Sequence, residues 1–333
     1  MKLALLDDYH GVALQMADWR RLAGRVEVVS FDAPITDAAE LVRKLAPFDA
    51  ILAMRERTAF PRALLEQLPK LRLLITTGMW NASIDIAAAA ELGIQVCGTR
   101  DVGHLTAELT LGLILALARQ TPHEERALRQ GRWQVRLGQS VRGRTLGLLG
   151  LGNLGRQVAA FGRMLGMQPI AWSQNLSAMA TAEAGCRLVE RDELFRAADY
   201  LSIHVRLSDR TRGLVGVKEL GLMKPTAYLI NTSRGPIVDE RALLEVLREK
   251  RIAGAALDVY AKEPLPMDDP LRTLDNVVLL PHLGYVSEEN YRCMYGDGLE
   301  AIETFLAGTP VRALNTPTEH ARQPPIESPR FEL

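Results

Sequence analysis

The stretch Gly147-Leu148-Leu149-Gly150-Leu151-Gly152-Asn153-Leu154-Gly155 carries most of the fold in nine residues. Ahead of it, Thr145 to Leu149 is apolar and bounded by glycine, the mark of a buried strand. Behind it, Val158, Phe161 and Leu165 recur at helical spacing. The glycines form G-x-G-x-x-G between these two patterns. Gly150 permits a tight turn, Gly152 lets backbone approach a pyrophosphate, and Gly155 allows close helix–strand packing. The N–H groups opening the helix then face the phosphates. A second strand, Pro169 to Trp172, follows at the spacing of a βαβ unit, so the segment reads as a dinucleotide-binding turn.

On the N-terminal side, short apolar strands at Lys2–Leu6, Val26–Phe31, Ala50–Met54, Leu71–Thr76 and Ile94–Cys97 alternate with helical patterns such as Asp37–Leu45 and Ser83–Leu92. Strands alternating with helices imply parallel pairing and a flavodoxin-like small domain. A long helix opens near Leu105 with Leu109, Leu113 and Leu117 on one face, followed by a looser, charged stretch around Arg126–Arg144. Beyond the glycine turn, strands are expected at Tyr200–Val205, Tyr228–Asn231, Gly254–Val259 and Val277–Leu280, and a last helix at about Ser287–Leu306. The tail after Gly308 has five prolines and no periodicity, so it is expected to wrap a surface or stay partly disordered.

Bulk properties narrow the class. A chain of 333 residues suggests two domains. Its 40 basic and 40 acidic residues balance, which argues against nucleic acid or anionic membrane as partner. The apolar run Leu109–Ala118 is too short to span a bilayer, and Asp7 and Asp8 interrupt any secretory core. Cys97, Cys186 and Cys293 are isolated and odd in number, as expected of reduced thiols in a cytoplasmic protein. The six histidines are scattered without metal-ligand spacing, so no metal is expected.

Polar residues cluster where the later strands end. Ser173-Gln174-Asn175 follows the second strand, Ser233-Arg234-Gly235 follows Leu229–Thr232, and Asp258 ends Ala255–Leu257 with Glu263 five residues on. His282 follows Val278–Pro281. In an open parallel sheet, ligands bind beyond the carboxyl ends of the strands, so these groups converge on one edge. Arginine, carboxylate and histidine beside a dinucleotide suit proton-coupled hydride transfer. The histidine exchanges the hydroxyl proton, the carboxylate orients it, and the arginine pairs with a substrate carboxylate.

These same residues carry a family signature. Asn231-Thr232-Ser233-Arg234-Gly235, Ala256-Leu257-Asp258-Val259-Tyr260-Ala261-Lys262-Glu263-Pro264-Leu265 and Pro281-His282-Leu283-Gly284, with Gly131-Arg132-Trp133 upstream, resemble the D-isomer-specific 2-hydroxyacid dehydrogenases over roughly residues 50 to 310. The resemblance implies an α/β fold of two doubly wound parallel-sheet domains, a Rossmann cofactor domain (102–283) inserted in a flavodoxin-like substrate domain (1–101 and 284–333). It implies Arg234 as substrate-binding arginine, His282 as acid/base and Glu263 as its partner. Cofactor contacts are implied for Thr106, Gly150, Gly152, Asn153, Leu154, Gly155, Ser173, Gln174, Asn175, Val205, Arg206, Thr211, Thr232, Ser233 and Asp258, the last through the nicotinamide amide. Met79, Trp80 and Asn81, in the loop after Gly78, and Tyr285 are implied to line the substrate side. Members are typically homodimers built through the cofactor domain and the arm after its long helix.

Three features depart from the common pattern. Ser173 stands where many relatives place an acidic residue on the adenosine ribose, with no arginine in that turn, so NAD or NADP fits equally. Arg206 replaces a frequent proline, and Trp80 adds a large aromatic to the substrate loop. The expected activity is reversible reduction of a small 2-keto acid, glyoxylate or hydroxypyruvate first, to its D-2-hydroxy acid. The alternatives are a dinucleotide-sensing corepressor of the same architecture, or a formate dehydrogenase. Against the latter stands Glu263, where that enzyme usually has glutamine.

Overall fold

The computed structural model describes residues 1–318, which form two α/β units. Met1–Val102 with the chain from Ser287 onward makes one, and the contiguous segment Gly103–Val286 makes the other.

The first unit is built on five parallel strands: β1 (Lys2–Leu5), β2 (Glu27–Ser30), β3 (Ala50–Ala53), β4 (Leu73–Thr76) and β5 (Gln95–Gly98). They lie in the order β2-β1-β3-β4-β5, a flavodoxin-like winding. Strands β3 and β4 are buried along their whole length, as expected for a parallel sheet covered on both faces. The expected helix at Asp37–Leu45 spans Ala38–Leu45, with the Asp37 carboxylate accepting from Glu40 N–H at its N-terminus. The last helix runs Glu288–Leu306 behind its Ser287 cap and buries Tyr291, Met294, Tyr295 and Leu299 in this unit. The chain after Gly308 wraps a surface as far as it is described: Leu314 N–H donates to Val96 O and Gly98 N–H to Arg312 O, laying it along β5. The rest of the proline-bearing tail lies outside the described residues.

The second unit holds seven parallel strands: β6 (Thr145–Leu149), β7 (Gln168–Trp172), β8 (Arg187–Leu188), β9 (Tyr200–Ile203), β10 (Tyr228–Asn231), β11 (Gly254–Leu257) and β12 (Val277–Leu279). Their order, β12-β11-β10-β9-β6-β7-β8, reverses direction at the β6/β9 pair, as in a dinucleotide-binding sheet. Alternate residues feed two cores on opposite faces. Leu149, Leu201, Leu229 and Leu257 face one, and Leu148, Tyr200, Ile230 and Ala256 the other. The expected strands are all present; β9, β11 and β12 end a residue or two early, while β8 was not foreseen because two residues carry no period.

The charged stretch is better ordered than expected. A helix, Thr121–Arg129, occupies its start, with Pro122 in the first turn and only Ala127 buried. One buried residue in nine leaves no apolar period to read. Residues beyond it form an arm pinned by Arg136 on Asp275, 2.9 Å apart, and by Gln139 N–H on Ala118 O.

Candidate active site

The site is assembled at the carboxyl ends of β6, β9, β10, β11 and β12. At the end of β6, Gly150 takes φ +103°, a backbone conformation that side chains disfavour, and its N–H donates to Trp172 O of β7. A Cβ on Gly155 would lie 2.4 Å from Gly150 O, so the first turn of the helix Asn153–Met164 rests directly on the strand end. By contrast, a Cβ on Gly152 would meet nothing within 4 Å. The surface above Gly152 is therefore open backbone at a helix N-terminus, which fits a pyrophosphate. Asn153 Nδ2 donates to Gly103 O at 3.4 Å, and Leu154 packs on the core beside it.

The neighbouring strand ends lie against this turn. A Cβ on Gly150 would touch His204 and Val205 backbone at 2.8–2.9 Å, which puts the end of β9 beside it. His204 Nε2 lies 2.9 Å from Ser202 Oγ, and burial lowers its pKa to about 4, so the imidazole is neutral. It was not foreseen because the strand expected at Tyr200–Val205 took it in, whereas β9 ends at Ile203. Val205 O accepts from Ser233 Oγ at 2.6 Å, and Arg206 O from Thr211 Oγ1 at 2.6 Å. Ser173, Gln174 and Asn175 follow β7 in a turn closed by Leu176 N–H on Ser173 O, with Gln174 and Asn175 exposed.

The arginine turn is folded by its own sequence. Asn231 Oδ1 accepts from Ser233 N–H and its Nδ2 donates to Arg234 O, both at 3.1 Å, while Arg234 Nη1 donates to Ser233 O at 2.8 Å. Gly235 fits so closely against the next loop that a Cβ would overlap Tyr260 backbone at 2.0 Å. Arg234 is thereby held next to the loop that carries Glu263.

Glu263 and His282 meet. His282 Nδ1 is 2.6 Å from Glu263 Oε2, and Glu263 Oε1 accepts from Tyr260 N–H at 2.9 Å. Tyr260 Oη bonds Leu257 O at 3.1 Å and Leu280 O at 2.8 Å, joining the ends of β11 and β12 beneath the pair. Tyr260 was not singled out from the sequence, although its place between Asp258 and Glu263 was the available signal. With Glu263 accepting at Nδ1, Nε2 is the imidazole atom left to face a substrate. Tyr285 is 9% exposed and lies edge-on to the His282 ring at 5.7 Å, so it packs on the imidazole.

Two further residues of the implied set are held by backbone groups. Asp258 is fully buried, and its two oxygens accept from Leu283 N–H at 2.6 Å and Gly284 N–H at 2.8 Å. Burial pushes its carboxyl above the usual carboxylate range, and the two amides oppose that. In the first unit, the Asn81 side chain is buried: Nδ2 donates to Arg55 O and Thr76 Oγ1, and Oδ1 accepts from Ser83 N–H. Asn81 thus braces its loop from below, leaving Met79 and Trp80 as the residues whose side chains are exposed there, Trp80 by 63%. Thr106 and Thr232 join a hydroxyl line in the second unit. Thr106 Oγ1 donates to Gly284 O at 2.7 Å, and Thr110 Oγ1 lies 2.8 Å from Thr232 Oγ1.

A family model described as the D-isomer specific 2-hydroxyacid dehydrogenase NAD binding domain matches residues 111–284. A glyoxylate reductase from Aeropyrum pernix is 40% identical over 272 residues, covering 78% of this chain and 81% of the relative. The chain belongs to the D-isomer-specific 2-hydroxyacid dehydrogenases. A second family member, a D-3-phosphoglycerate dehydrogenase from Methanocaldococcus jannaschii, is 36% identical over 312 residues and 92% of this chain, which spans 58% of that relative's length. Among solved structures of similar dehydrogenases, a phosphoglycerate oxidoreductase from Vibrio cholerae superposes with a TM-score of 0.88 at 36% identity, covering 93% of this chain and all of that one. Membership of the family makes this an oxidoreductase with a nicotinamide-dinucleotide-binding domain. No helix among the described residues is long and apolar enough to cross a membrane.

Proposed function

We propose that the chain reduces a small 2-keto acid, glyoxylate or hydroxypyruvate in the first instance, to the D-2-hydroxy acid, and catalyses the reverse reaction. The observation that carries this reading is the 2.6 Å His282–Glu263 pair at the ends of two adjacent strands, with the Arg234–Gly235 turn packed against the same loop. Relatives named glyoxylate reductase support a small acid. The backbone of Gly150–Gly155, with Ser173–Asn175 and Thr232–Ser233, is the surface that would hold the dinucleotide, NAD or NADP, which when bound supplies the hydride. Arg234 pairs with the substrate carboxylate and fixes the keto group. His282 Nε2 gives its proton to the keto oxygen as that oxygen gains charge, and Glu263 stabilises the protonated ring.

The protein acts as a homodimer in this reading. The arm and the helix before it carry Leu128, Trp133, Val135 and Leu137 outward, with Trp133 78% and Leu137 97% exposed, although the arm itself is pinned. Apolar side chains on an ordered arm mark a contact with another chain, and a second copy is the partner assigned. A cytoplasmic setting fits Cys97, Cys186 and Cys293, all free thiols.

A panel of 2-keto acids assayed spectrophotometrically with NADH and NADPH tests the activity. A protein that binds either nucleotide yet reduces no acid would overturn it. His282→Gln is expected to lower turnover about 10²–10⁴-fold while leaving nucleotide affinity in place.

A further inference from the structure

His282 adopts φ +58°, the left-handed region that is uncommon for residues other than glycine. The ladder between β11 and β12 ends at Leu280 N–H on Leu257 O, so the strand pairing does not hold His282 in place. The restraint comes from the two residues after it. Leu283 N–H and Gly284 N–H both donate to Asp258, and Gly284 O accepts from Thr106 Oγ1. Gly284 sits in this clasp with no room to spare: a Cβ there would lie 3.1 Å from Asp258 Oδ2, 3.1 Å from Thr106 Oγ1 and 3.2 Å from Thr106 Cγ2.

Thr106 also belongs to a longer chain of contacts. Thr110 Oγ1 donates to Thr106 O at 2.7 Å, one turn along the helix Leu105–Arg119. Its proton being used there, Thr110 accepts from Thr232 Oγ1, 2.8 Å away and immediately before Ser233-Arg234. One helix turn therefore connects the loop bearing the arginine to the loop bearing the histidine, through the buried hydroxyls of Thr110 and Thr232 and the half-buried one of Thr106.

We propose that Thr106 is a positioning residue: its hydroxyl, opposite the Asp258 carboxylate, clamps Gly284 and so fixes the His282 imidazole against Glu263. This rests on the acid/base role given to His282 above. It assigns the opening of the long helix a task in holding the catalytic loop, separate from any contact it makes with a dinucleotide.

The test compares Thr106→Val, which keeps the shape and loses the hydroxyl, with Thr106→Ser, which keeps the hydroxyl. Thermal unfolding establishes that each variant folds. In Thr106→Val, kcat for the best keto acid is expected to fall about 10-fold, as for a catalytic group displaced by a fraction of an ångström, and by more than any loss of NADH affinity. Thr106→Ser is expected to restore kcat to within 2-fold. A readout independent of turnover is the His282 Nδ1–H resonance, located by its loss in His282→Gln. It should broaden or move upfield in Thr106→Val and stay in place in Thr106→Ser. Equal losses of kcat in both variants, an unchanged kcat and resonance in Thr106→Val, or a kcat loss matched by an equal loss of NADH affinity would each overturn the proposal. If the wild type reduces no acid, the activity reading fails while the resonance still decides whether Thr106 holds the imidazole.

Discussion

Two glycines three residues apart should respond in opposite ways to the same added methyl group. In Gly155→Ala the new Cβ would stand 2.4 Å from Gly150 O, about 1 Å inside ordinary contact, and the atom it meets is backbone that cannot swing aside. The helix must lift from the strand end. Overpacking of this kind costs about 1–3 kcal/mol. For a domain of this size, about 2 kcal/mol lowers Tm by about 4–8 °C. Gly152 already has φ −75° and ψ −161°, extended backbone open to any residue, and its Cβ would project into empty space. Gly152→Ala should therefore unfold at the wild-type temperature or slightly above it, since alanine narrows the unfolded ensemble. It should nonetheless bind NADH at least about 10-fold more weakly, because the methyl fills the space through which a phosphate reaches the helix N–H groups. Scanning fluorimetry without nucleotide, followed by NADH fluorescence titration, separates the two effects. Wild-type NADH affinity in Gly152→Ala, or a Tm loss in that variant equal to that of Gly155→Ala, would refute the reasoning.

Glu263→Gln keeps a hydrogen-bonding group at His282 Nδ1 but removes the carboxylate charge beside the ring as it protonates the substrate, so kcat should fall about 10-fold or more in steady-state assays, and an unchanged kcat would remove Glu263 from the acid/base pair. His204, held near 4 in the fold against an ordinary 6.5, stays neutral where the unfolded chain takes up a proton, so stability falls as pH drops from 6.5 toward 4. Its share is at most about 3 kcal/mol, and His204→Gln, whose amide can still accept from Ser202, should flatten that part of the urea-denaturation profile; a slope unchanged from wild type would exclude it. Trp133→Glu combined with Leu137→Glu should halve the apparent mass in light scattering without lowering the helix content, and a mass unchanged by both charges would remove the arm from the interface.

The parts legible in the sequence were those with a period or a glycine. Strand β6, its turn and its helix follow from an apolar run and helical apolar spacing around Gly150 and Gly155; the sheet order then brings Glu263 to His282 and packs the Arg234–Gly235 turn on the same loop. Side chains whose partners are main-chain groups were not legible. Asp258 bonds to backbone of residues 25 and 26 positions on, and Asn81 to backbone 26 positions back, and no pattern in the chain announces such contacts. Thr110 and His204 stayed hidden for a related reason, since an isolated hydroxyl or imidazole acquires meaning only from what packs beside it. The helix Thr121–Arg129 escaped because its stability owes little to burial and much to its local residues.

The unit that holds Trp80 is completed by a helix from the far end of the chain. Asp297 receives the Arg100 guanidinium at 2.7 Å, Asn290 accepts from Val102 N–H, and Gly298 lies so close to Leu52 that a Cβ would overlap its side chain. On a ribosome the first hundred residues would therefore wait, their sheet uncovered on one side, while Gly103–Val286 emerges and can close on itself. Synthesis order and folding order should run opposite for this protein, and an early-stalled nascent chain would be the species that needs a chaperone.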